Sequence, residues 1–290
     1  MFLRIASYKR TKEIVDKYNF VIKKNFGQNF LIDGHVLDKI INSAEISKND
    51  VVIEIGPGVG SLTEELLNYA HKVYAIEIDK SLIPILEDNL KNFDNLEIIN
   101  QDVLKVDINS IINQFPDKDI KVVANLPYYI TTPIIMGFLE GKLGVKSMTV
   151  MVQKEVANRM KAKPGTKDYG ALTLAINYYG RPYLAANVPR NCFLPRPNID
   201  SAVVRIDIYK CPPVLSADDK LMFELIRMVF NQRRKTLLNA IYNQGGFGFT
   251  KEKISEIINA AGFSPEVRGE KFSLEDFAML GNCFTNAINI

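Results

Sequence analysis

The sequence predicts an α/β protein: a mostly parallel sheet with helices on both faces, followed by a small all-α domain at the C-terminus. Two observations carry that prediction. From Val51 to Gln153, short β-branched runs alternate with longer amphipathic stretches, the pattern of strands joined by crossover helices. Beyond Pro213 the amphipathic stretches continue and no strand pattern appears.

Taken in order, "VVIEI" (51–55) reads as a buried strand, then glycines, then a helix through "LTEELLNYA" (62–70). "KVYAIEI" (72–78) is the second strand and "SLIPILEDNLKNF" (81–93) the next helix. "LEIIN" (96–100), "KVVAN" (121–125) and "SMTVMVQ" (147–153) continue the series. Such nearly continuous apolar runs suit strands buried on both faces. After Lys154 the texture changes to helix, loop and two later strands, the last being "DSAVVRIDIY" (200–209), which suits an antiparallel addition at a sheet edge. "KCPPVLSADD" (210–219) reads as a linker, with two prolines and helix-capping residues. The stretches 220–230, 251–263 and 274–288 are further helices. The expected domains are 1–212, which includes a basic segment 1–24, and 213–290.

The 290 residues are 47% hydrophobic and 24% charged, the composition of an ordinary globular protein. No apolar run approaches the roughly 20 residues of a membrane helix, and the N-terminus lacks a secretory signal pattern. Cys192, Cys211 and Cys283 are odd in number and far apart, which argues against disulfides and a zinc site and for a reducing, cytoplasmic location. With only His35 and His71, chemistry built on histidine pairs is disfavoured and no metal is expected. The net charge of +3 hides an asymmetry. Residues 1–24 hold seven basic and two acidic side chains, 154–196 hold eight and two, and 77–119 hold four and ten. Two basic segments around an acidic one raise the expectation of a polyanionic partner.

"EIGPGVGSLT" (54–63) joins a strand to a helix. Gly56, Gly58 and Gly60 let the backbone turn tightly and let a ligand lie against it. The spacing departs from the dinucleotide fingerprint and carries no P-loop lysine. Glu77 closes the second strand, where a carboxylate can accept from both hydroxyls of a ribose, and Asp102 closes the third, where it can accept from an adenine amine. Three strand ends presenting a glycine loop, a Glu and an Asp define one crevice. The constellation resembles class I methyltransferases, whose ligand is S-adenosylmethionine, and implies their Rossmann-like, mixed and mostly parallel sheet. An acidic mouth also suits a sulfonium better than a pyrophosphate.

"NLPYYI" (125–130) ends the fourth strand. An exocyclic amine on an aromatic ring is a weak nucleophile, because its lone pair is delocalised. The Asn125 side-chain oxygen with the carbonyl of Leu126 or Pro127 can hold both N–H groups and aim the lone pair at a methyl donor, without a strong base. Pro127 fixes the carbonyl's direction and Tyr128 offers a face for an extruded base.

With "NFGQNFLID" (25–33), "FLPRPNIDSAV" (193–203) and "FNQRRKTLLNAI" (230–241) added in order, the chain resembles the KsgA/RsmA family, dimethyladenosine transferases of small-subunit (16S) ribosomal RNA. The resemblance implies transfer of methyl groups to N6 of two adjacent adenosines, within an assembling small subunit and by a monomer. It implies cofactor contacts at Asn29, Leu31, Gly56, Gly58, Glu77, Asp102 and Asn125. Asn125, Leu126, Pro127 and Tyr128 would form the reaction centre, and Tyr128 and Phe193 would sandwich the target base. Plain core for Phe193 and plain packing for Leu31 stay open. Arg233, Arg234 and Lys235, after a helix, become RNA contacts. The basic 154–196 stretch, with Tyr169, Tyr178, Tyr179 and Tyr183 interleaved, is expected beside the base pocket. The rivals are an Erm-type large-subunit rRNA methyltransferase, a catalytically silent nucleic-acid-binding relative, and a dinucleotide-dependent oxidoreductase.

Overall fold

A computed structural model of the chain describes residues 4–23 and 27–289. Lys24, Asn25 and Phe26, parts of the basic segment and of the first motif, lie outside the described residues. In chain order the first unit contains α1 (Tyr8–Lys17), β1 (Phe30–Leu31), α2 (Gly34–Ala44), β2 (Asp50–Ile55), α3 (Ser61–Tyr69), β3 (Lys72–Glu77), α4 (Ile83–Leu90), β4 (Leu96–Asn100), α5 (Ile108–Ile112), β5 (Asp119–Asn125), α6 (Thr131–Glu140) and β6 (Ser147–Gln153). After α7 (Lys154–Met160) and α8 (Ala171–Tyr179) come β7 (Gly180–Val188), β8 (Phe193–Leu194) and β9 (Ser201–Ile208).

The seven-stranded sheet runs β4-β3-β2-β5-β6-β9-β7. Neighbours from β4 to β6 are parallel, and β9 lies antiparallel to β6. This is the expected mixed, mostly parallel sheet. The first strand in sequence of the parallel set, β2, has later strands on both sides, so the strand order switches between β2 and β5. Ligands of open α/β sheets bind outside the carboxyl ends at such a switch, and the glycine loop and the Asn125 turn leave from those two ends. At the opposite end, Lys121 of β5 is buried and donates to Asp50 of β2 at 3.1 Å. That pair explains a lysine inside an otherwise apolar strand. A separate two-stranded ribbon pairs β1 with β8, Leu31 opposite Phe193.

The N-terminal arm departs from its sequence reading. Ser7 caps α1, and the arm's cations turn inward to acids of the same unit. Arg4 meets Glu65 at 2.9 Å, Lys17 meets Asp88 at 2.6 Å and Lys23 meets Asp79 at 2.7 Å. The basic 1–24 segment and the acidic 77–119 segment are thus partly each other's counterions, which removes much of the arm's case for an external polyanion.

The second unit comprises Asn158–Gly180 and Tyr209–Ile290. It holds α8 with α9 (Asp219–Asn231), α10 (Leu237–Tyr242), α11 (Lys251–Ala260) and α12 (Leu274–Ile288) around its own apolar core. A boundary at Pro213 misses that 158–180 packs with these helices. Tyr169 and Tyr178 belong to this core, Tyr169 donating to the Phe272 carbonyl at 2.7 Å and Tyr178 meeting Phe223 edge-on. They are not an exposed aromatic platform, because their rings fill the space between α8, α9 and α12. Among the described residues no helix is long and apolar enough to cross a membrane.

Candidate functional site

A cleft of about 1010 Å³, its open mouth included, lies at the carboxyl ends of β2, β3 and β5. The glycine loop forms its floor. Gly58 sits at φ +61°, a left-handed conformation that favours glycine, and a Cβ there would stand 3.0 Å from the Phe30 ring. Gly56, at φ +68°, donates its N–H to Ile76 across the sheet at 3.0 Å. At Gly58 both the backbone path and the Phe30 ring disfavour a side chain, while at Gly56 only the backbone path does.

Glu77 ends β3 and is nearly buried, yet both oxygens accept backbone N–H groups, from Asp79 at 2.8 Å and Gly58 at 3.3 Å. Burial is the larger influence and pushes its carboxyl up to about 7. Glu54, 1% exposed on the β2 wall, is pushed by burial to about 8. Its Oε2 has no partner among the described residues, an acceptor that awaits a donor. Asp102 caps the short turn after β4, accepting from Leu104 N–H at 3.1 Å, and lines the far end of the cleft.

The wall facing the glycine loop comes from residues 27–31. Asp79, 3% exposed, holds this segment from both sides: it accepts from Lys23 Nζ at 2.7 Å and from Gln28 Nε2 at 2.8 Å. Gln28 in turn accepts from the Lys23 backbone N–H at 2.7 Å. Asn29 and Leu31 line the cleft.

At the end of β5, Asn125 Nδ2 donates to the Asn29 carbonyl at 3.0 Å. With the amide nitrogen tied to the wall, its Oδ1 is left without a partner among the described residues. Pro127's carbonyl accepts from Ile130 N–H at 3.3 Å and Thr131 Oγ1 at 3.0 Å, starting α6. Leu126's carbonyl has no partner among the described residues, while its N–H is held by Met151 at 3.1 Å. Of the two carbonyls the sequence left open, Leu126's is the one available. Tyr128 lines the cleft and shares a hydrogen bond with Ser201 at 2.8 Å.

The structure therefore gathers Asn29, Leu31, Gly56, Gly58, Glu77 and Asp102 in one cleft with all four residues of the Asn125–Tyr128 turn. It does not bring Phe193 there. That ring is 3% exposed in the core, because β8 pairs with β1 and turns it inward. Nor are Arg233, Arg234 and Lys235 equivalent. Arg233 donates to Glu270 at 2.8 Å and to the Lys167 and Thr166 carbonyls at 2.6 and 2.7 Å, while Arg234 and Lys235 are exposed. Arg233 is thus engaged in an internal tie within the helical unit, unlike its two neighbours. Sequence reasoning missed Glu54, Gln28 and Asp79. Their only signal was position: Glu54 opens the glycine motif, Asp79 follows Glu77 by two, and Gln28 precedes Asn29.

Glycine floor, carboxylate at the second strand end and acid at the third define an S-adenosylmethionine-dependent class I methyltransferase, and these residues fit that ligand. Glu77's oxygens keep lone pairs for ribose hydroxyls, and Glu54, also in the cleft lining, has a buried oxygen without a partner among the described residues. The comparisons carry the assignment further. Residues 19–277 match the family "Ribosomal RNA adenine dimethylase", and the chain belongs to it. A relative from Lachnoclostridium phytofermentans, "Ribosomal RNA small subunit methyltransferase A", is 56% identical over 94% of this chain and 95% of its own. One of the same name from Clostridioides difficile is 48% identical over 99% of both. A dimethyladenosine transferase structure from Plasmodium falciparum aligns with TM-score 0.74 and 28% identity, covering 89% of this chain and 98% of its own. The 23S rRNA methyltransferase ErmE shares the fold with TM-score 0.65 at 24% identity, covering 89% of this chain and 100% of its own.

Proposed function

We propose that the protein dimethylates N6 of two adjacent adenosines in small-subunit (16S) ribosomal RNA, within an assembling small subunit, acting in the cytoplasm as a monomer. The observation that carries this reading is the Asn125 turn: its amide nitrogen is engaged by Asn29, so Asn125 Oδ1 and the Leu126 carbonyl stand as two acceptors for one amine. S-adenosylmethionine supplies an electrophilic methyl group. Glu77 holds the ribose, Asp102 the adenine, and Asn29 and Leu31 close the wall. The two acceptors take the N–H bonds of the target amine, localise its lone pair and aim it, so catalysis is positioning. Tyr128 provides the stacking face, and Phe193 backs Leu31 from the core. Arg234 and Lys235 contact RNA phosphates.

The near-full-length likeness to small-subunit methyltransferases favours that substrate over the large subunit. The test is methyl incorporation from labelled S-adenosylmethionine into small-subunit particles lacking the modification, beside naked large-subunit rRNA, followed by digestion to nucleosides. Dimethyladenosine in the small-subunit sample alone is the expected result. Dimethyladenosine in the large-subunit RNA alone overturns the substrate, and cofactor binding without transfer to either overturns the reaction.

A further inference from the structure

We propose that Ser201 is a positioning residue whose hydroxyl fixes the ring of Tyr128 and thereby governs the second methyl transfer to each adenosine; the inference rests on the proposed function. Ser201 is the first residue of β9 and is fully buried. Its place is set by the sheet, where it stands opposite Gln153 of β6. The preceding Asp200 ties the same corner down, accepting from Arg190 N–H at 3.0 Å and from Lys154 N–H through its carbonyl at 3.0 Å. From this rigid corner the Ser201 hydroxyl meets the Tyr128 hydroxyl at 2.8 Å. No second partner of the Tyr128 hydroxyl is present among the described residues. Burial holds the phenol above its ordinary range, so it remains a neutral hydroxyl able to share this bond. The bond links two motifs far apart in sequence, the turn at 125–128 and the stretch ending at 203, where neither composition nor spacing announced it.

The anchor matters unequally to the two transfers. In each, the amine lone pair forms the new C–N bond, the C–S bond breaks with its pair returning to sulfur, and the displaced amine proton leaves to solvent. The first transfer starts from an amine with two N–H groups, one for Asn125 Oδ1 and one for the Leu126 carbonyl. The second starts from a monomethylated amine with a single N–H. One acceptor contact is gone, and a larger share of the positioning falls to the stacking face. A ring free to rotate about its side-chain torsions loses the second step before the first.

The experiment measures the ratio of mono- to dimethyladenosine formed at fixed turnover on small-subunit particles, with cofactor affinity and thermal unfolding recorded for each variant. Ser201→Ala and Tyr128→Phe are each expected to raise the monomethyl fraction about five-fold, the effect of one neutral hydrogen bond, with cofactor affinity unchanged. The double variant should match either single one, since both remove the same bond, and Ser201→Thr should restore the wild-type ratio. An unchanged ratio in a folded Ser201→Ala protein, or effects that multiply in the double variant, overturns the inference. Should Ser201→Ala not fold, Tyr128→Phe decides alone, and an unchanged ratio there overturns it. A wild-type protein that makes no dimethyladenosine refutes the proposed function itself, and is distinguishable from these outcomes.

Discussion

The turn after β5 and the turn after α9 carry the two most recognisable polar motifs of the chain, and they use their polar groups in opposite ways. In Asn125–Tyr128 the fold takes what it needs at the edges: the Asn125 nitrogen, the Leu126 N–H, the Pro127 carbonyl and the Tyr128 hydroxyl all have partners. What remains is a matched pair of acceptors facing the cleft. In Arg233–Lys235 the first and most prominent cation is taken by the fold, through Glu270 and two carbonyls, and the remainder is two exposed charges. A motif names the residue types present; which of their atoms are left for a partner is decided by neighbours distant in sequence.

The sharpest way to break this comparison is Asn125→Ala. Loss of one of two acceptors aimed at the reacting amine is expected to lower kcat by about 10² to 10³. Because the same side chain ties the wall at Asn29, cofactor affinity should weaken by a smaller factor, measurable by calorimetry. Turnover near wild type would mean that the free Oδ1 has no part in the reaction.

Arg233→Ala tests the other side of the comparison. It leaves Glu270 without its ion pair and the Lys167 carbonyl without its donor, while the Thr166 carbonyl keeps the Tyr169 N–H, and is expected to destabilise the helical unit by about 2 kcal/mol, read from denaturant unfolding. An unfolding curve like that of wild type, with RNA affinity reduced, would return Arg233 to the nucleic-acid surface.

These contrasts mark what was legible. The strands and the glycine loop were legible because a buried parallel sheet demands apolar runs and a left-handed turn demands glycine. Glu77, Asp102 and Asn125 followed from their places at strand ends. Whether Phe193 is core or base-stacking stayed open in the sequence, because its direction depends on pairing with Leu31, a partner some 160 residues away. The arm helix α1 buries little beyond Thr11 and Ile14, so its apolar stripe was too thin to read, and the cations of the N-terminal arm were counted as free when Asp79 and Asp88 already held Lys23 and Lys17.

The cleft's buried acids give a smaller effect with a definite sign. Burial raises Glu77 to about 7, and the ionised form is the one able to accept from both ribose hydroxyls. Cofactor affinity should therefore rise as pH increases from 6 to 8, by up to about ten-fold, and fall as the carboxyl is protonated below 7. Glu77→Gln should bind weakly and lose that step. A flat affinity profile in the wild-type protein would show that the charge on Glu77 is not part of cofactor recognition.

The smallest effect is the most direct reading of the exposed half of the second motif. Each cation that neutralises a phosphate releases counterions and steepens the dependence of affinity on salt. Arg234→Ala and Lys235→Ala should each reduce the slope of log affinity against log salt by about one, without changing unfolding, so that the loss of affinity relative to wild type is about three-fold larger at 50 mM salt than at 200 mM. Arg233→Ala, whose guanidinium already faces Glu270, should leave the slope alone as long as the unit stays folded. Equal slope changes at all three positions would mean that the internal tie opens when RNA arrives, and that the fold lends Arg233 to the ligand rather than keeping it.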